Sequence, residues 1–240
     1  MKKLKSLIVL SLMLMMGGQM MGQTHGALML GASFPMGNYS NFNSADFALA
    51  TSGNNAGAAI GFNAGLRWYF NVGVKGLNVM LSVDGMYNGL NATAKEFYKD
   101  RQSSLDVFGS DVEITKPCYI NVPAMLGVNY TYYFNSNLGI FAEAGAGVDA
   151  RFTTAYHEKY SILSQKLFSN VKYNIGFGFA WQVGIGLEVA KNLIIGGSYY
   201  NLGKAPVTAE KVGDIVLTPL PAEGAYITPS MILARVGFRF

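Results

Sequence analysis

His157, Glu158 and Ser161 are the residue types of a hydrolytic site: a base, a carboxylate to orient it and a hydroxyl to be activated. Such a set works only when the base is held within hydrogen-bond reach of the nucleophile and steered by the third group. Three residues on one long connecting stretch supply no such constraint, so no enzymatic activity is expected from them. His25 and Cys118 complete the histidines and cysteines of the chain, which holds two of the former and one of the latter. They support neither a metal set nor an intramolecular disulfide, and the thiol is expected to be inert at the start of a strand. The triplets Gly145-Ala146-Gly147, Gly176-Phe177-Gly178 and Gly184-Ile185-Gly186 have the composition of phosphate-binding loops. A phosphate cradle opens a helix after a strand, whereas each triplet continues an alternating pattern, so no nucleotide or other cofactor is expected.

That alternation is the dominant feature of the chain. At the carboxyl end Ile232, Ala234, Val236, Phe238 and Phe240 alternate with Leu233, Arg235, Gly237 and Arg239. From Asn174 to Val189 it holds without a slip, with Ile175, Phe177, Phe179, Trp181, Val183, Ile185 and Leu187 on one face and mostly small residues on the other. A period of two marks a β-strand, and a strand this long with large apolar groups on one face suits a barrel wall in lipid better than a soluble sheet. Six further segments show the pattern, at about 26–34, 57–70, 77–87, 118–134, 138–152 and, more weakly, 193–202. The fold class read from this is all-β: a transmembrane, eight-stranded, antiparallel up-and-down barrel. Asn129-Tyr130-Thr131 forms a glycosylation sequon inside one of these strands and is set aside for that reason.

Connections after strands two, four and six are short, near Asn71 to Gly76, Asn135 to Asn137 and Lys191 to Asn192. Those after strands one, three, five and seven are long, roughly 35–56, 88–117, 153–173 and 203–228. The two kinds must lie on opposite rims. Outer-membrane barrels put short turns in the periplasm and long loops outside, which predicts periplasmic termini. An aromatic girdle is then expected at the periplasmic boundary from Trp68, Phe70, Tyr130, Tyr132, Phe238 and Phe240, with Tyr69, Tyr133 and Phe134 at the same strand ends. Inward positions are rich in glycine, as a narrow barrel requires, and carry charge. Arg67, Arg235 and Arg239 are expected to form a lumen ion-pair network with Asp84, Glu143 and Glu188, three positive against three negative, because buried charges are tolerable only when paired.

Residues 1–22 have a basic start at Lys2, Lys3 and Lys5, an apolar run from Leu7 to Met16 and a small-residue exit at Gly17, Gly18 and Gly22. This predicts a cleaved secretory signal, leaving 23–240 as the barrel domain. The net charge of +4 rests on eighteen Lys and Arg against fourteen Asp and Glu, and removing the three signal lysines leaves +1, which excludes nucleic acid as a partner.

"CYINVPAMLGVNYTYYF" from Cys118 to Phe134, "GIFAEAGAGVDARF" from Gly139, "GASFPMGNYS" from Gly31, "GLEVAKNLIIGGSYYNLG" from Gly186 and the ending "ARVGFRF" resemble the PorT-like outer-membrane β-barrel family of the Bacteroidetes. The resemblance covers the mature chain. It implies an OmpA-like eight-stranded barrel inserted into outer-membrane lipid by the assembly machinery, which recognises a last strand ending in an aromatic such as Phe240. It transfers no catalytic residue, and it implies accessory service to type IX secretion as an alternative role.

The connection at 88–117 is the most charged, and it also holds Phe97, Tyr98, Leu105, Val107 and Phe108. Apolar anchors on a loop carried by a rigid scaffold suit a partner contact, so Phe97, Tyr98 and Phe108 are the candidate external contact for an envelope protein, unless they extend the flanking strands. The second and fourth long connections also have room for one more hairpin, which would make ten strands. The function read from the sequence is a structural or interaction role in the envelope, with a passive pore and a lipid-modifying enzyme as lesser alternatives.

Overall fold

A computed structural model describes residues 24–43, 55–106, 111–162, 165–190, 192–213 and 224–240; the signal segment 1–22 and Phe108 lie outside them. The eight alternating segments form one closed antiparallel barrel. Its strands are β1 (Thr24–Met36), β2 (Gly61–Asn71), β3 (Leu77–Asn88), β5 (Tyr119–Tyr133), β6 (Leu138–Thr153), β9 (Gly176–Val189), β10 (Leu193–Asn201) and β14 (Ser230–Arg239). Each pairs with its neighbours in sequence order, and β14 closes on β1.

The register fixes the barrel's shape. A path across the hydrogen bonds from Gly26 runs through Trp68, Leu81, Leu126, Ala146, Trp181, Asn201 and Ser230 and returns to β1 at Met36. One circuit therefore climbs ten residues. At about 3.3 Å per residue and about 4.8 Å between strands, a shear of that size tilts eight strands by about 40° and leaves an interior just wide enough for side chains. Pro123 opposes Asp84 and interrupts the β3–β5 ladder at that point, because it has no N–H to donate.

The short turns have sequence causes. Asn71 accepts a hydrogen bond from the Gly73 N–H at 2.7 Å, and Gly76 has φ of +82° with its backbone against the Thr131 carbonyl, a place where a Cβ would sit 2.2 Å from that oxygen. Asn135 accepts from the Asn137 N–H at 2.8 Å in the next turn.

The long connections fold into a cap over the opposite rim. The second contributes α1 (Ala92–Asp106) and β4 (Asp111–Thr115), the third the hairpin β7 (Tyr156–Ile162) and β8 (Gln165–Tyr173), and the fourth β12 (Ala209–Gly213). These strands form a separate four-stranded sheet in the order β12-β8-β7-β4. A further two-residue ladder joins β11 (Ala205–Pro206) to β13 (Tyr226–Ile227). The extra strands thus stand outside the barrel wall, which keeps eight strands and not ten. Asn91 starts α1 by accepting the Ala94 N–H at 2.9 Å, an N-cap absent from the sequence-based expectation of a loop.

The two faces of the wall differ completely. Every charged residue on the barrel strands (Arg67, Asp84, Glu143, Asp149, Arg151, Glu188, Arg235 and Arg239) is buried or half-buried at an inward position. Outward positions are apolar and open, as at Leu126 (63% exposed), Ile185 (60%) and Val236 (52%). A continuous apolar belt far exceeds the patch a soluble monomer exposes.

Candidate functional site: the charged lumen and its two ends

Four of the six expected lumen charges meet. Arg67 Nη1 lies 2.5 and 2.6 Å from the two carboxylate oxygens of Glu143, and Arg67 Nη2 lies 3.7 Å from Asp84 Oδ2. Arg235 reaches the same two acids from the other side, Nη1 at 3.3 Å from Asp84 Oδ1 and Nη2 at 3.2 Å from Glu143 Oε1. Two guanidiniums and two carboxylates alternate in a closed ring. The Tyr200 hydroxyl sits among them, donating to Asp84 at 2.7 Å and accepting from Arg67 and Arg235 at 3.0 Å each. Ser198 donates to Glu143 at 3.1 Å. Tyr200 is not among the expected site residues, although it shares the parity of inward-facing Ser198.

Glycines make the room. A Cβ at Gly65 would stand 2.0 Å from Asp84 Oδ1, and one at Gly184 would stand 2.3 Å from Ser198 Oγ and 2.8 Å from Glu143 Oε1. The small residues that alternate with bulky ones along β2 and β9 are thereby explained: their vacant side-chain volume is occupied by the charges of facing strands.

The other two charges do not join this ring, contrary to a single six-member network. Arg239 Nη1 pairs with Glu188 Oε1 at 2.6 Å nearer the short-turn rim, where the Tyr133 hydroxyl also donates to both Glu188 oxygens at 3.1 and 3.2 Å. The Arg239 guanidinium stands 5.3 Å above the centre of the Tyr69 ring. The separation is physical: buried Tyr69, Met80, Phe141 and Ile194 form an apolar layer with Ala27 and Met29. Tyr69 and Tyr133 accordingly belong to the lumen rather than to the girdle, because adjacent strand residues face opposite ways. Phe70, Tyr130, Tyr132, Phe238 and Phe240 are exposed on the outer face at the short-turn end, and Trp68 is half-buried there.

A third polar tier lies under the cap. Arg151 pairs with Asp149 at 3.0 Å, donates to Asn121 Oδ1 at 3.0 Å and donates to the Ile227 carbonyl at 2.7 Å. Above it a buried cluster containing Tyr39, Tyr119, Leu202 and Ile227 continues without a break into Ile114, Val171 and Tyr173 of the cap. Apolar layers thus close the lumen at both ends.

The expected external contact is corrected by this cluster. Tyr98 is 3% exposed and Phe97 packs against the same core, its ring tilted by 51° to that of Phe42 at 5.4 Å between centres. Their positions on α1 put them on the face turned to the sheet, so they hold the cap down and are not free to anchor a partner. Burial raises the Tyr98 phenol well above its ordinary pKa. On the exposed side of the cap, the ammonium of Lys159, 2.9 Å from Glu113, holds that carboxyl below the usual range.

The hydrolase triad does not assemble either. His157 and Glu158 are neighbours on β7 and face opposite sides of the sheet, with Glu158 buried against Arg101 at 2.8 Å. Cys118 is half-exposed just before β5. Among the described residues no three His, Cys, Asp or Glu side chains converge as a metal set.

No family model matches the chain, and no curated protein does. Among solved structures, Neisserial surface protein A is similar at 10% identity, covering 90% of this chain and 95% of that one, with a TM-score of 0.45. A major outer membrane protein from Thermus thermophilus is similar at 10% identity, covering 91% and 100%, with a TM-score of 0.47. OprG from Pseudomonas aeruginosa is similar at 10% identity, covering 92% and 97%, with a TM-score of 0.44. The fold assignment rests on this chain's own register: a closed barrel of eight strands with a shear of ten.

Tyr200→Phe tests the central ring gently. It removes one hydroxyl and leaves Asp84 without its closest donor, which is expected to cost about 1–3 kcal/mol of unfolding free energy in a denaturant titration. An unchanged midpoint would show that the hydroxyl contributes nothing there.

Proposed function

We propose that this chain is an integral protein of a bacterial outer membrane, with the short turns and both termini in the periplasm and the cap outside. It acts as a structural or interaction component of the envelope, not as a pore and not as an enzyme. The observation that supports this most directly is the inverted wall, with every strand charge inside and an uncharged apolar belt outside. The apolar layers above and below the central ion pairs support a sealed lumen. Phe240 at the end of β14 is the natural mark for the assembly machinery, and residues 1–22 for export.

A folded cap concentrates any recognition on its exposed face. On α1 that face carries Lys95, Glu96, Lys99 and Asp100, all exposed, while Ala94 and Tyr98 are buried beneath. Affinity capture of the tagged protein from its native envelope, compared with K95E/K99E, tests the role. The variant touches no core residue, so reproducible partners lost with it support an interaction module, and an identical partner set counts against this face. In planar bilayers the purified protein is expected to show no unitary conductance, and a stable conductance would sink the sealed-lumen reading.

The motif resemblance to PorT-like barrels supports a second reading, accessory service to a type IX secretion machine. A deletion strain distinguishes them: loss of secreted cargo supports the second reading, and normal secretion with altered envelope integrity the first.

A further inference from the structure

The short-turn mouth of the barrel opens into a cleft of about 600 Å3, within the size range of small-molecule and short-peptide sites. Its walls include His25, Lys75, Tyr133, Glu188, Asn192 and Arg239. Two acceptors on these walls, Glu188 and a Phe240 oxygen, are already committed. Glu188 accepts from Arg239 at 2.6 Å and from the Tyr133 hydroxyl at 3.1 and 3.2 Å, and the Phe240 carbonyl accepts the Gly26 N–H at 3.0 Å.

The donors are not. Lys75 is exposed in the turn after β2 with no acceptor beside it among the described residues, and Arg239 spends Nη1 on Glu188 while its Nη2, which is not among the buried atoms, has no acceptor among them. A guanidinium that spends one Nη on a carboxylate keeps the other for a second anion, and a carboxylate suits it. Asn192 donates to the Arg239 carbonyl at 3.2 Å and so fixes the strand end that carries the guanidinium. Phe134 and Phe240 add aromatic surface to the same cleft, which a compact, strongly hydrated phosphate would leave unused. At the inner end Tyr69 and Ile194 belong to the buried apolar layer, so a bound solute stops there and does not traverse the barrel.

We propose that this cleft is a binding site for the carboxylate of a short acidic peptide, with Lys75 and Arg239 as its anion contacts. If the short-turn rim is periplasmic, as the proposed function holds, the peptide comes from the periplasm; the source rests on that reading, the site itself does not.

The test is a fluorescence-anisotropy titration of the folded protein in detergent with fluorescein-labelled Ala-Glu-Ala, against the same peptide with Gln for Glu and an amidated end. Binding of the acid form, weakened about tenfold or more in the amide form and again in Lys75→Glu, is the expected result. Equal binding of the two peptides, affinity unchanged in Lys75→Glu, or no binding of the acid form up to about 1 mM would overturn it. Lys75 is exposed, so the variant is expected to fold, and heat-dependent gel migration verifies the barrel in each sample. Orientation is read separately: a Lys75→Cys thiol should react with an impermeant maleimide only after the outer membrane is permeabilised. Labelling in intact cells would overturn the periplasmic source, while the titration alone decides the site.

Discussion

Arg67→Ala is expected to destabilise the barrel by about 3–5 kcal/mol, the usual cost of leaving a buried carboxylate without its main partner. Arg67 is 1% exposed and binds both oxygens of Glu143, so its loss leaves Glu143 with Arg235 as its one cation and the Ser198 hydroxyl as its other donor, and removes one donor from Tyr200. The methyl that replaces it also leaves a cavity in an interior that the glycines have shaped around the guanidinium. Urea-dependent folding into lipid vesicles, followed by the fluorescence of Trp68 and Trp181 and by heat-dependent gel migration, measures the effect. Glu143→Gln in the Arg67→Ala background is expected to recover part of it, because the uncompensated charge is then gone. A single-variant loss below about 1 kcal/mol would mean that water reaches Glu143 and that the lumen is not sealed.

Leu126→Arg is expected to cost about 2–4 kcal/mol in the same vesicle assay, the penalty for a basic residue on the lipid face at mid-depth. Leu126 lies at the centre of β5, is 63% exposed and faces away from the lumen between Leu81 and Ala146. The sign of this result discriminates strongly. On a water-facing wall the same change would be nearly neutral and would raise solubility, since exposed surface substitutions usually fall within about 0.5 kcal/mol. A neutral outcome in vesicles would therefore remove the membrane reading itself. Tyr132→Arg, at the short-turn rim where basic groups reach water, is expected to cost clearly less, about 0–1 kcal/mol.

The candidate site is legible in the sequence to an uneven degree. Parity places Arg67, Asp84, Glu143, Glu188, Arg235 and Arg239 on one face of their strands, and Ser198 with them; the same parity carries Tyr200, whose bulk and position beside outward Tyr199 disguise it. Parity also turns Tyr69 and Tyr133 inward, away from the girdle that strand-end position alone suggests for them. Phe97 and Tyr98 look like loop anchors because the charged run around them hides the helical spacing of Ala94, Tyr98 and Arg101 and the Asn91 cap ahead of it.

The face each strand residue takes and the rim each connection joins can be read along the chain, because side-chain alternation is a local property of extended backbone and short turns bring adjacent strands together at one end. Which inward charge meets which depends on the closed barrel. Arg67, Asp84, Glu143 and Arg235 come from β2, β3, β6 and β14, and their heights coincide only through closure with a shear of ten residues. The cap was hidden for the same reason: β4, β7, β8 and β12 are drawn from three separate connections, and their pairing is a long-range contact that no local periodicity records.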